Sequence, residues 1–143
     1  MIALGSDHGG YNLKKAVIAY FKENGIAYQD FGCYSRESCD YPEYARAAAQ
    51  AVADGDCEKG IVLCTTGLGI SMAANKVRGI RCAVCDSVFL ARMTREHNDA
   101  NMLSLGAAVV GAELAVEIID TFLNTPFSNE EKHLRRVKGI EVL

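Results

Sequence analysis

The sequence predicts an α/β fold: a five-stranded parallel sheet with helices on both faces, plus a further helix at the C-terminus. Three observations carry this. Strand-like and helix-like patterns alternate along the chain, and consecutive βα units build parallel sheets covered by helices. Segments such as "GIVLC", residues 60–64, are apolar throughout, as strands covered on both faces should be. The chain has 143 residues, the length of one domain with a single sizeable core.

The elements follow in order. "MIALGS" is a short apolar strand. In "GGYNLKKAVIAYFKENG", Leu13, Val17, Tyr20 and Phe21 recur at helical spacing, and Gly25 stops the helix. "IAYQDFG" is a second strand. "CDYPEYARAAAQAVADG" opens a helix with Asp40 as N-cap and Pro42 in its first turn, and Gly55 ends it. "KGIVLC" and "GIRCAVCD" are strands three and four, each followed by a helix, "GLGISMAANKV" and "SVFLARMTREHN". "MLSLGAAVVG" holds strand five and "AELAVEIIDTFLNT" its helix. After Pro126, "SNEEKHLRRVKGIEVL" reads as a basic helix and tail over about residues 128–143.

Composition narrows the function. Half the residues are apolar and the net charge is −3, so the whole molecule offers no field for nucleic acid or acidic membranes. No apolar run is long enough to span a bilayer, and Asp7 and His8 come too early for a signal peptide, so a cytoplasmic protein is expected. Six cysteines, Cys33, Cys39, Cys57, Cys64, Cys82 and Cys85, are expected to be reduced and mostly buried. Cys82 and Cys85 form one CxxC without a second ligand pair, and within a strand their side chains face opposite ways, against a zinc site.

In open parallel sheets ligands sit beyond the carboxyl ends of the strands, where strand order reverses. For the order 2-1-3-4-5 that point lies between strands 1 and 3, which end at "GSDHGG" and "CTTGLG". In the latter, Gly67 and Gly69 permit a tight turn, and the helix behind them presents free N–H groups and the positive end of its dipole. An anion or a developing oxyanion is stabilised there, and a helix N-terminus favours the thiolate of a neighbouring cysteine. Cys64 is therefore either a core residue ending a strand or a base. Asp7 and His8 suit a sugar hydroxyl and an anion, or else an N-cap and an exposed neighbour. His97 and Asn98 in "REHNDAN" fall at a helix end, where His97 could equally cap the helix. Lys132 and Arg136, four apart on one helix face, suit a phosphate or a solvated surface. A rival reading takes "GLGISM" as most of a dinucleotide fingerprint with Asp86 as ribose acid, but Met72 stands at the third glycine and Asp7 and His8 are left without a role. That reading makes the chain a non-catalytic nucleotide-binding module.

Taken together, "GSDHGG" with "LK", "DYPEYA", "CTTGLGISMAANKVRGIRCA", "ARMTREHNDANMLSLGAAVVG" and "KHLRRV" resemble the type-B ribose-5-phosphate isomerase family, which includes galactose-6-phosphate isomerase subunits. The resemblance spans nearly the whole chain, in order. It implies a Rossmann-like three-layer sandwich, one sugar-phosphate isomerase domain over residues 1–143, no cofactor and no metal. It implies an aldose–ketose isomerase of ribose 5-phosphate and ribulose 5-phosphate, as a homodimer or dimer of dimers with shared active sites. Cys64 matches the proton-transfer base. Thr66 and His97 match residues that open the furanose ring, with His97 and Asn98 supplied by the partner chain. Asp7 matches a hydroxyl contact and Tyr41 a pocket tyrosine, and His8, Lys132 and Arg136 match phosphate ligands. The backbone N–H groups from Thr65 through Gly67 and Gly69 to Ile70 match an anion hole. Three positions depart from the pattern. Thr65 stands where glycine is usual, Lys132 (after Glu130 and Glu131) where arginine is usual, and Leu68 where a β-branched residue is usual. The first two leave open a hexose 6-phosphate of the allose or galactose type, or a free sugar.

Overall fold

A computed structural model describes residues 1–142 of the chain. The elements run β1 (Ile2–Ser6), α1 (Tyr11–Glu23), β2 (Tyr28–Asp30), α2 (Tyr41–Ala53), β3 (Lys59–Cys64), α3 (Leu68–Ala74), β4 (Cys82–Val84), α4 (Val88–Asn98), β5 (Met102–Gly106), α5 (Ala112–Asn124) and α6 (Glu131–Glu141). The strands form one sheet in which every pairing is parallel.

Strand alternation sorts the core into two layers, because successive side chains leave a strand on opposite faces. Ile2, Leu4, Ile61, Leu63, Leu103 and Leu105 pack with Leu13, Val17 and Phe21 of α1 and Ile118, Ile119 and Phe122 of α5. Ala3, Val62, Cys64 and Met102 pack on the other side, with Ala45, Ala48, Ala49 and Val52 of α2 and Ile70 and Ala74 of α3. The alanine stripe of α2 lets that helix approach closely; a Cβ on Gly5 would meet the Tyr44 carbonyl at 2.9 Å.

The strand order is β2-β1-β3-β5-β4, not the expected 2-1-3-4-5. Burial explains the difference. All five residues of β5 are buried, whereas β4 has only three residues, none of them buried. The strand buried on both faces takes the interior position beside β3, and the short one takes the edge, where few ladder bonds are lost. The reversal between β1 and β3 is unaffected. The CxxC is split as expected of a strand: Cys82 lies against the α2–α3 layer and Cys85 in the α1–α5 layer.

Helix boundaries follow local chemistry. Ser87 caps α4, its Oγ accepting the Leu90 N–H at 3.1 Å. Asp40 occupies the N-cap position of α2 without a side-chain capping bond, and Pro42 sits in the first turn. The C-cap of α4 is Asp99 in the left-handed conformation (φ 46°), so His97 is not the cap. Helix α6 is mostly solvent-facing, with only His133 buried.

Candidate active site

Cys64, the last residue of β3, is 5% exposed, and its Sγ accepts the Gly67 N–H at 3.1 Å. Gly67 reaches that position through a left-handed turn (φ 80°), where a side chain would also crowd the backbone of Leu105 and Gly106. The turn is pinned from behind: Ser104 Oγ on β5 donates to the Gly67 carbonyl at 2.6 Å. Thr66 Oγ1 accepts the Leu68 N–H at 3.2 Å. Of the amides expected to line an anion hole, Gly67 is thus engaged by the cysteine sulfur. Those of Gly69 and Ile70, in the first turn of α3, have no carbonyl within the helix to bond.

The loop after β1 closes the other side. Asp7 is buried, and its Oδ1 accepts the Gly10 N–H at 3.0 Å, shaping the glycine turn that leads into α1. His8 is exposed, and its Nδ1 accepts the Cys39 N–H at 3.2 Å. That bond leaves Nε2 as the protonated nitrogen. Burial pushes the neighbouring Cys39 thiol upward, and its Sγ lies 4.0 Å from the same His8 nitrogen. Thr65 and Gly9 face each other so closely that a Cβ on Gly9 would collide with Thr65 Oγ1 and lie 3.3 Å from Asp7 Oδ1. The Tyr41 ring lies across Gly69, where an added Cβ would meet Cζ at 2.6 Å. Asp7, His8, Tyr41, Cys64, Thr65, Thr66, Gly67, Gly69 and Ile70 therefore share the carboxyl edge of the sheet.

His97, Asn98, Lys132 and Arg136 do not join them. Helix α4 runs back from the carboxyl end of β4 and stops before Met102, the first residue of β5. Cys64 pairs with Gly106, at the far end of that strand. Four strand steps, about 13 Å, separate the two ends. At the amino end, the His97 ring stacks on His133 with centroids 4.3 Å apart. His133 is buried and hydrogen-bonded to Ser128 Oγ at 2.8 Å. Burial pushes its pKa down, as do the neighbouring His97, Lys132 and Arg136, against Glu130. Lys132 is exposed and lies 3.7 Å from Glu130.

Sequence reasoning did not single out Ser104, Cys39 or His133. For His133 a signal existed: it stands four residues before the half-buried Val137, on the same face of α6. Ser104 and Cys39 act through partners distant in the chain, which no local pattern reveals.

An open parallel α/β sheet with a cysteine sulfur held at a helix N-terminus, beside a buried carboxylate, defines a class of proteins that hold a small anionic or polyhydroxylated molecule at the sheet's carboxyl edge. The particular family is clear from comparison. The chain belongs to the ribose/galactose isomerase family, whose pattern matches residues 2–140. It is 44% identical over 142 residues to ribose-5-phosphate isomerase B of Escherichia coli K12, covering 99% of this chain and 95% of that one. Its fold superposes on the Clostridium thermocellum ribose-5-phosphate isomerase B structure with a TM-score of 0.96 at 52% identity, covering 99% and 95% of the two chains. The corresponding Thermotoga maritima structure gives 0.97 at 47% identity, covering 99% and 97%. The protein is thus an aldose–ketose isomerase, not a nucleotide-binding module; Met72, at the third position of the rival fingerprint, is 66% exposed.

Proposed function

We propose that the protein interconverts ribose 5-phosphate and ribulose 5-phosphate, with Cys64 as the proton-transfer base. The observation that carries this is the Cys64 sulfur, buried at the end of β3 and accepting the Gly67 N–H beside the open amides of α3's first turn. The thiolate takes the C2 proton of the linear aldose, leaving a cis-enediolate. The same proton returns to C1 as the O2 proton shifts to O1, so substrate and product are isomers and nothing else is consumed. Backbone donors preorganised for the enediolate oxygens lower the barrier, each typically by a factor of about a hundred or more. Asp7 accepts a sugar hydroxyl, Tyr41 walls the pocket, and His8 contributes Nε2–H to the phosphate.

The remaining residues require a second copy of the chain. His97 and Asn98 sit at the amino end of the sheet, as do Lys132 and Arg136 on α6, so one chain does not bring them over its own Cys64. In a homodimer, the α4 terminus of one copy completes the site of the other. Thr66 and the incoming His97 open the furanose, while Lys132 and Arg136 add to the phosphate contacts. Exposed apolar side chains at the carboxyl edge, Leu68, Met72, Phe89 and Val109, offer surface for such an association. Six free thiols fit a reducing compartment and hence the cytoplasm.

A hexose 6-phosphate is the second reading. Two departures from the family pattern carry it: Thr65 stands where glycine is usual, facing Gly9, and Glu130 lies 3.7 Å from Lys132. The deciding experiment is steady-state isomerisation of ribose 5-phosphate, allose 6-phosphate, galactose 6-phosphate and free ribose by the wild type and Cys64→Ala. Highest kcat/KM for ribose 5-phosphate, abolished in a folded Cys64→Ala dimer, is expected. Near-normal turnover by that variant removes Cys64 as the base.

A further inference from the structure

We infer that Arg81 is a positioning residue that holds together the two elements of the second half-site. The inference rests on the proposed roles of His97, Lys132 and Arg136. Arg81 precedes β4 at the amino edge of the sheet, and its backbone is locked there. Its N–H donates to Asn101 Oδ1 at 2.8 Å, and its carbonyl accepts the N–H groups of Asn101 and Met102 at 3.1 and 3.2 Å. The guanidinium, mostly buried, then reaches two helices at once. Nε donates to the Asn98 and Asp99 carbonyls at 3.1 and 3.2 Å, and Nη2 donates to the Asp99 carbonyl at 2.8 Å. Nη1 pairs with Glu141 Oε1 at 2.6 Å, at the end of α6.

Both attachments act on groups that helix hydrogen bonding leaves open, alongside the Arg95 bonds to Asp99 and Ala100. Carbonyls at the end of α4 lack intrahelical donors and carry the negative end of the dipole, so a cation with several fixed donors suits them. The turn they belong to is strained: Asp99 is a non-glycine residue at φ 46°. Its carboxylate is shared by Arg95 at 2.9 Å and Arg81 at 3.6 Å. His97 and Asn98 project from this turn. Helix α6, which carries Lys132 and Arg136, buries only His133. Few apolar contacts hold it, and its ties are polar: His133 near its start, to His97 and Ser128, and Glu141 at its end, to Arg81. Arg81 thereby sets the ring-opening residues and the phosphate cations in one fixed relation.

The test exploits a chemical asymmetry. Ribulose 5-phosphate cannot close a furanose, because its O5 is phosphorylated, so it enters the site open; ribose 5-phosphate enters mostly as the ring. Turnover from each sugar is measured for the wild type, Arg81→Ala, Arg81→Lys, Glu141→Gln and the benchmark His97→Ala. Misplacement of about 1 Å can cost roughly a hundredfold. His97→Ala is expected to lose aldose turnover far more than ketose turnover. Arg81→Ala should shift the same ratio in the same direction by tenfold or more, and Arg81→Lys, which keeps charge but not the fork, by less. Glu141→Gln should raise KM for both sugars severalfold with kcat retained. A folded Arg81→Ala with an unchanged ratio, or one losing both directions in parallel with a lower melting temperature, overturns the inference. If Arg81→Ala does not fold, Arg81→Lys and Glu141→Gln decide in the same terms. If His97→Ala shows no asymmetry, the ring-opening role itself falls. Arg81 is then judged on KM, and unchanged values in Arg81→Ala and Glu141→Gln overturn it.

Discussion

The ring of His97 stacks on that of His133 at 4.3 Å, joining α4 to α6 through two histidines of opposite exposure. His133 is the buried partner, and burial first, then His97, Lys132 and Arg136, lower its pKa below the usual 6.5. The native state therefore prefers the neutral ring, whereas the unfolded chain takes up a proton near 6.5. Stability is complete above that pH and declines as pH falls through the window just beneath it. Melting temperatures between pH 7.5 and 5 should show this loss, and His133→Asn should flatten it. An unchanged slope in the variant would assign the pH dependence elsewhere.

Lys132 stands exposed beside Glu130. As a phosphate contact it lacks the planar fork of arginine and shares its charge with a neighbouring acid. Lys132→Ala should raise KM for phosphorylated sugars and hardly alter free ones, and Glu130→Gln should lower KM for phosphorylated sugars. Equal effects of Lys132→Ala on both kinds of sugar would argue against the contact.

Thr65 Oγ1 crowds Gly9 beside the buried Asp7 carboxylate. Thr65→Gly removes the Cβ with its methyl and hydroxyl there. The ratio of kcat/KM for hexose 6-phosphates over ribose 5-phosphate should rise severalfold. A falling ratio would mean that the hydroxyl binds the longer sugar.

Lys14 is 1% exposed, and its Nζ meets Asp30 at 2.7 Å and the Cys33 carbonyl. Asp30 also accepts the Gly32 N–H at 2.9 Å, so the pair anchors the segment after β2. Lys14→Met leaves that carboxylate and carbonyl without their cation. Unfolding free energy should drop by about 3 kcal/mol, near the lower end for a broken buried pair, because Asp30 is partly exposed. Urea denaturation measures it, and a loss below about 1 kcal/mol would place the pair among weak surface bridges.

Burial raises both thiols of the CxxC, Cys85 to about 11. In the folded protein at pH 8, both should react with iodoacetamide far more slowly than the unfolded chain does. Rapid labelling read by mass spectrometry would contradict the burial of Cys85 and the raised pKa of the half-buried Cys82.

Much of this architecture was legible locally. The apolar run ending in Cys64, the glycines at 67 and 69 and the helical stripe of α1 announce strand, turn and helix, because each depends on spacing within a few residues. The sheet order was less legible. Whether β4 or β5 lies beside β3 depends on which strand both helix layers cover, and both segments read as apolar strands.

The sequence by itself determined the alternation of elements, the reversal between β1 and β3, and the gathering of Asp7, His8 and Cys64 there, since each strand's end is written in its own turn. Only the tertiary structure decided that the His97 ring stacks on the buried His133, and that His133 and Arg81 tie α4 to α6 there. These are contacts between residues as far as 60 positions apart, Arg81 with Glu141. They arise from packing, and local periodicity carries no record of which distant side chain will supply the missing charge.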